Sequence, residues 1–402
     1  MSDHAAADLA RTRVMDLFPC ARESTYLSTC TRGLLPAPAR EALIAHLTDL
    51  ERGTTDKAAL FEMVETVRES FARLIRCHAD EVAFTKNVSE GLNIIAAAIE
   101  WRAGDNVAVC LDMEHPNNVY PWLNLRDRAG IEVRVVPPRE GHVDAERLID
   151  VMDERTKLVT LPTVSFSPGF RTDVAAVGAV CRQRHVFLLA DAVQSVGILD
   201  TDVDALGVDG LVVSTQKGLC GLYGMGFLYC RREWAERLTP AYLARFGVDL
   251  GSDAHEAAIG FGDFSLMPGA RRFDLGNYNY PAIAVAEQSL SILNGIGTQV
   301  IEAHVTDLSN RLIDGFLELG LTVAGGKAGP HTSSLVCIGE LGIGHDTSDD
   351  PKITSLSAHL NENGVAHSIR RGMIRFAFHI YNSQNDVQRV LDLTRNWTGK
   401  NI

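Results

Sequence analysis

Two hydrophobic periods alternate along the first two thirds of the chain. Apolar residues recur at helical spacing in KAALFEMVETVRESFARLI (57–75). Short runs then follow that are apolar at nearly every position: EVAFT (81–85), NVAVCL (106–111), EVRVVP (132–137), KLVTLP (157–162), HVFLLA (185–190) and GLVVS (210–214). Helical patterns separate several of them, as in SEGLNIIAAAIEW, VYPWLNLRDRAG and DVAAVGAVCRQR. Runs apolar on both faces, alternating with helices, predict a mainly parallel sheet covered on both sides. GMGFLYCR (224–231) reads as one added strand.

After about residue 294 the pattern changes. A long amphipathic helix, TQVIEAHVTDLSNRLIDGFLEL, leads to LTVAG, SSLVCIG, a helix at ITSLSAHLNENG, strands at VAHSI and MIRFAFH, and a last helix at QNDVQRVLDLTRNW. The expected organisation is α/β: an N-terminal arm (1–15), a large domain built on the mainly parallel sheet (16–293) and a smaller α+β C-terminal domain (294–402).

Composition narrows the function classes. With 402 residues, 46% apolar and 22% charged, the chain can bury a sizeable core. A net charge of −13 speaks against a nucleic-acid or anionic-membrane partner. No apolar run approaches a membrane span. The opening MSDHAAADLARTR has no apolar core, so no secretory signal is expected. The eight cysteines are scattered, with no CxxC pair, which suits a reduced, cytoplasmic protein. Cys77–His78 is a poor metal clamp, and no metal site is expected.

In VSTQKGLCGLYGMGFLYC (213–230), Lys217 is the one charged residue. A lysine in apolar surroundings loses preference for its charged form and becomes a usable amine. In an open α/β sheet, ligands bind beyond the carboxyl ends of the strands. His115 follows NVAVCL, Asp191 follows HVFLLA with Gln194 three residues on, and Lys217 follows GLVVS. After EVAFT comes a turn, Val88-Ser89-Glu90-Gly91, opening a helix; free backbone N–H groups there suit a phosphate. Pyridoxal phosphate requires such a set: a lysine for the Schiff base, an acid beside the ring nitrogen, a phosphate cup and a flat group on the ring face. The glycines of GLYGMGF are wrongly spaced for a dinucleotide loop and precede a strand.

The ordered motifs EGLN, EH, DAVQ, STQK, RRFDLGNYNYP, RRG and IRFAFHIYN resemble those of the fold-type I, class V aminotransferase family of pyridoxal-phosphate enzymes. The resemblance runs from TYLSTCTRGLLP (25–36) to the last helix. It implies that Lys217 carries the cofactor, Asp191 pairs with its ring nitrogen, Gln194 meets its phenolic oxygen and His115 stacks on its ring. It places Ser89 and Ser214 at the phosphate, and Asn277 at the phosphate of a second subunit, implying a homodimer with shared sites. Arg375 matches the grip on a substrate α-carboxylate, with Arg370 as a second candidate.

Three departures shape the functional expectation. IRRGMIRFAF has no room for the cysteine-bearing loop of desulfurases, and no cysteine follows Cys337. Gln216 precedes the lysine where many members have His or Tyr. Phe166, in TVSFSPGFRTD, replaces a frequent Asn. The short RRG–IR linkage and SPGFRTD resemble most the epimerase-like and C–S lyase-like branch. The expected reaction is β-elimination from an S-substituted cysteine, not persulfide formation. Amino transfer, epimerisation and decarboxylation remain as alternatives, and a non-catalytic scaffold would have no use for the Lys217, Asp191, His115 and Arg375 set.

Overall fold

The computed structural model describes residues 14–251, 264–342 and 344–398. The expected arm at 1–15 therefore falls almost wholly outside the described residues.

The centre is a seven-stranded sheet. Its strands in chain order are β1 (Val82–Thr85), β2 (Asn106–Val109), β3 (Glu132–Val135), β4 (Thr156–Pro162), β5 (Phe187–Asp191), β6 (Gly210–Ser214) and β7 (Gly226–Cys230). In space they run β1-β7-β6-β5-β4-β2-β3. The added strand β7 is antiparallel to both neighbours, while the β6-to-β3 stretch is parallel throughout. The strands apolar on both faces are the central ones: every residue of β5, β6 and β7 is buried. Edge strand β3 has no fully buried residue.

Helices cover both faces. On one side lie α3 (Val88–Ala98) and α4 (Tyr120–Ala129), with Ile95, Trp122 and Phe187 in their apolar cluster. On the other lie α2 (Lys57–Ile75), α6 (Val174–Arg184) and α7 (Tyr280–Ile296), following α1 (Ala37–Arg52) and α5 (Ala145–Asp150). Phe71 of α2 stacks on Phe227 of β7 at 4.0 Å. Helix α2 starts where Asp56 accepts the Ala58 N–H at 2.8 Å, so its N-terminus is capped by sequence. Gly91 lets α3 lie flat on the sheet, since a Cβ there would stand 2.7 Å from Val212 Cγ1.

The expected change near residue 294 corresponds to helix α7 running on to Ile296 and α8 (Thr298–Glu318) following at once. Next comes a second, antiparallel sheet, ordered β8 (Leu335–Ile338), β10 (Met373–Ala377), β9 (Ser368–Arg370). Helices α9 (Pro351–Glu362) and α10 (Gln384–Thr398) complete this part. LTVAG forms no strand; it makes one bridge, Val323 to Ile338. The N-terminal segment Thr25–Tyr26 pairs in parallel with Val365–Ala366, which fastens the start of the chain to the C-terminal sheet. Among the described residues no helix is long and apolar enough to cross a membrane.

Candidate active site

Four strand ends and two C-terminal strands meet at one cavity of about 280 Å³. His115 (after β2), Asp191 (end of β5), Gln194, Ser214 (end of β6), Gln216 and Lys217 line it. Phe166, Arg370 and Arg375 close it from the side of the C-terminal sheet, and Val88 touches it at the start of α3. Residues scattered over nearly 290 sequence positions are thus brought together.

The remaining predicted residues lie beside the cavity rather than on it. Glu90 turns back to accept the Lys86 N–H at 2.6 Å, and Gly91 is packed against Val212. Ser89 accepts through its carbonyl from Asn93 Nδ2 at 2.7 Å. Asn277 lines a neighbouring hollow of about 470 Å³, together with Asn87, Glu90 and Gly224. Its stretch is seated by buried Arg68, which donates to Asp274 at 2.7 Å, while Asp274 also accepts the Phe84 N–H at 2.8 Å.

Sequence reasoning missed Asn87, Asn117 and Tyr223 in the wall. Cys30 and Thr31 line the same wall from the Thr29–Gly33 loop, and the cysteine there carries no motif. Gln194 donates to the Cys30 carbonyl at 3.2 Å, holding that loop against the site.

The lysine turn is fixed from three directions. Thr215 Oγ1 donates to the Leu222 carbonyl at 2.6 Å. The Gly33 N–H donates to the Gln216 carbonyl at 2.8 Å, and a Cβ at Gly33 would overlap the Lys217 carbonyl oxygen. From beyond β10, His379 reaches the Gly218 carbonyl at 2.8 Å.

Burial sets the electrostatics. The Lys217 ammonium is held below its ordinary pKa by burial, against the opposing pull of Asp191. Burial raises Asp191, opposed by the Val193 N–H at 3.0 Å and by Lys217. His115 is pushed down to about 4 by burial and then by Lys217, Arg370, His345 and Arg375, so its ring is neutral at pH 7. Its Nδ1 accepts the Asn117 N–H at 3.3 Å and its ring meets Phe166 edge-on at 5.6 Å. Glu114, buried beside this histidine, is raised well above the carboxylate range by burial and by Asp191. Arg375, only 2% exposed, donates Nε to Ser368 Oγ at 3.2 Å and Nη1 to the Phe166 carbonyl. Among the described residues it forms no ion pair with a carboxylate.

Comparison with known proteins assigns the class. The family model "Aminotransferase class-V" matches residues 41–390, and the chain belongs to that family. An uncharacterized aminotransferase of Bacillus subtilis, YcbU, is 30% identical over 94% of this chain and 95% of its own. A probable cysteine desulfurase of Methanothermobacter thermautotrophicus is 30% identical over 92% and 94%. Among solved structures, the apo cysteine desulfurase of Thermococcus onnurineus superposes with a TM-score of 0.81 at 24% identity, covering 96% of this chain and 97% of that one. The fold is that of the fold-type I pyridoxal-phosphate enzymes, and pyridoxal 5′-phosphate is the cofactor. The residues present fit it: a half-buried amine faces a buried carboxylate across a cavity that also opens on a helix N-terminus.

These findings correct the functional expectation. Elimination as the leading reaction, with persulfide chemistry set aside, does not stand beside full-length relatives named as desulfurases. The physical reason is that a thiol need not come from the RRG-to-IRFAF turn: the fold carries Cys30 into the same wall from a segment distant in sequence.

Proposed function

We propose that the chain acts at Cα of a free α-amino acid and transfers its amino group to a keto acid. One observation carries this reading: buried Arg375 has neutral acceptors only and opens on the cavity of Lys217. A buried guanidinium without an anion is costly, and an α-carboxylate supplies a bidentate one. That grip turns Cα and its amino group toward Lys217. When bound, the cofactor supplies an electron-withdrawing ring that takes up charge leaving Cα. Lys217, Asp191, His115, Gln194, Ser214, Gln216 and the start of α3 would hold it. Asp191 keeps a proton on the ring nitrogen. Lys217, with its pKa lowered by burial, would take the proton from Cα. Neutral His115 covers the ring and adds no positive charge. We assign the chain to a homodimer on the family resemblance of the Asn277 stretch, with a second subunit meeting the hollow beside it.

Cys30 favours a second reading, desulfuration of L-cysteine. Its thiolate would attack the substrate sulfur. The C–S bond breaks, Cβ keeps the electron pair and takes a proton, and alanine leaves with a persulfide on Cys30. An added thiol then reduces that persulfide.

The test is to incubate the holoenzyme with a panel of L-amino acids, with and without 2-oxo acids, and read products by mass spectrometry. Keto acid and exchanged amine support the first reading. Alanine from cysteine, with one sulfur added to the Cys30 peptide, supports the second. Amino acids left intact throughout would refute both.

A further inference from the structure

A second arginine faces the cavity, and it is held differently from Arg375. Arg370, at the end of β9, lines the cavity with a side chain 25% exposed. Its Nη1 pairs with the carboxylate of Asp346 and donates to the Ile369 carbonyl at 3.0 Å. Asp346 belongs to the 340–350 loop between β8 and α9. That loop rests on the β9–β10 turn: the Gly342 N–H donates to the Arg371 carbonyl at 2.6 Å and the Arg371 N–H to the His345 carbonyl at 3.2 Å. Arg371 is tied elsewhere, to the Asp112 carbonyl at 2.6 Å.

The two arginines differ in what they lack. Arg375 is buried with no carboxylate. Arg370 has one, but from a side chain 61% exposed, whose other neighbour is His345 Nδ1 at 3.1 Å. Exposed pairs of this kind contribute little, and a side-chain rotation is enough to release this one. The cavity therefore presents two guanidinium cations, Arg370 and Arg375, beside one buried carboxylate, Asp191, and one borrowed from the surface. Each guanidinium lies within electrostatic reach of the other, so an anion on both relieves their repulsion.

We propose that Arg370 receives a second anionic group at the end of the substrate's side chain, and that Asp346 occupies this position when substrate is absent. The substrate class is then a dicarboxylic α-amino acid, or one ending in a comparable anion. This inference rests on Arg375 taking the α-carboxylate. Substrate binding exchanges Asp346 for the incoming carboxylate on Arg370, and the freed aspartate turns to solvent.

The test is calorimetry on the holoenzyme with unreactive probes of matched chain length, glutarate and pentanoate. The wild type should bind glutarate more tightly. Asp346→Asn, which removes the competing carboxylate, should tighten glutarate about fivefold and change pentanoate far less. Arg370→Gln should erase the preference between the two probes, with melting temperatures confirming the fold of both variants. If both probes bind alike and Asp346→Asn leaves their ratio unchanged, the second anion site is refuted while the Arg375 grip stands. If neither probe responds to Arg375→Gln, the grip itself fails and this inference with it.

Discussion

His379 donates from Nε2 to the carbonyl oxygen of Gly218, the residue after Lys217, at 2.8 Å. The tautomer follows from the other nitrogen, because Nδ1 accepts the Ile380 N–H at 2.7 Å. A neutral imidazole beyond the C-terminal sheet thus pins the lysine turn of the central one. Burial pushes its pKa down to about 4. In the unfolded chain it titrates near 6.5. Protonation therefore favours unfolding: stability holds above the unfolded value and falls as pH drops from about 6.5 toward 4. Thermal melts over that range should show the slope, to which His115 also contributes, and His379→Gln should reduce it. An unchanged slope in the variant would remove His379 as its source.

Arg375→Gln should raise the KM for any amino-acid substrate by about 10- to 100-fold, the loss of a charge-assisted pair. Steady-state kinetics would show it, and kcat should fall less than kcat/KM. An unaltered KM would place the carboxylate elsewhere.

Asp191→Ala should reduce turnover by about 10²- to 10⁴-fold with the cofactor still bound and the fold retained. Absorbance of the bound cofactor and circular dichroism check occupancy and fold. Full turnover in that variant would end the ring-nitrogen role.

Glu114→Gln tests the buried carboxyl beside His115. Its folded pKa is raised, so the folded state holds its proton more tightly than the unfolded chain does. Stability tied to it is present at low pH and is lost as pH rises from the ordinary value of about 4.3 upward. The glutamine variant should be the more stable protein at neutral pH. A lower melting temperature for it at pH 7 would contradict this account.

Most of the architecture was readable because the central strands are apolar on both faces and little else in the chain is. LTVAG misled because four apolar or β-branched residues before a glycine look like a strand, yet its pairing is a single bridge, Val323 to Ile338, bounded by the bonds of Thr322 to Gly339 and Ala324 to Cys337. Lys217, Asp191, His115 and Arg375 were legible for a different reason: each is a charged or polar residue beside or within an apolar strand. Glu90 and Gly91 were read as ligands because a helix start looks alike whether its groups face a phosphate or serve as cap and packing surface. Cys30 stayed hidden since nothing local distinguishes it. Its place depends on contacts made by distant strands, as does that of Asp346, which only the β9–β10 turn brings to Arg370.

The pairing of Thr25–Tyr26 with Val365–Ala366 also has a consequence for biosynthesis. The Leu27 carbonyl accepts from Ala377, and the Tyr26 carbonyl from Asn382 Nδ2. All these partners leave the ribosome more than 330 residues after the segment they secure. The wall holding Cys30 and Thr31 is therefore fastened only once residues 365–382 have been made, so a long loop must close before it forms. Chains cut before residue 365 should therefore show their defect more than 330 residues away, in the assembly of the Thr25–Thr31 wall.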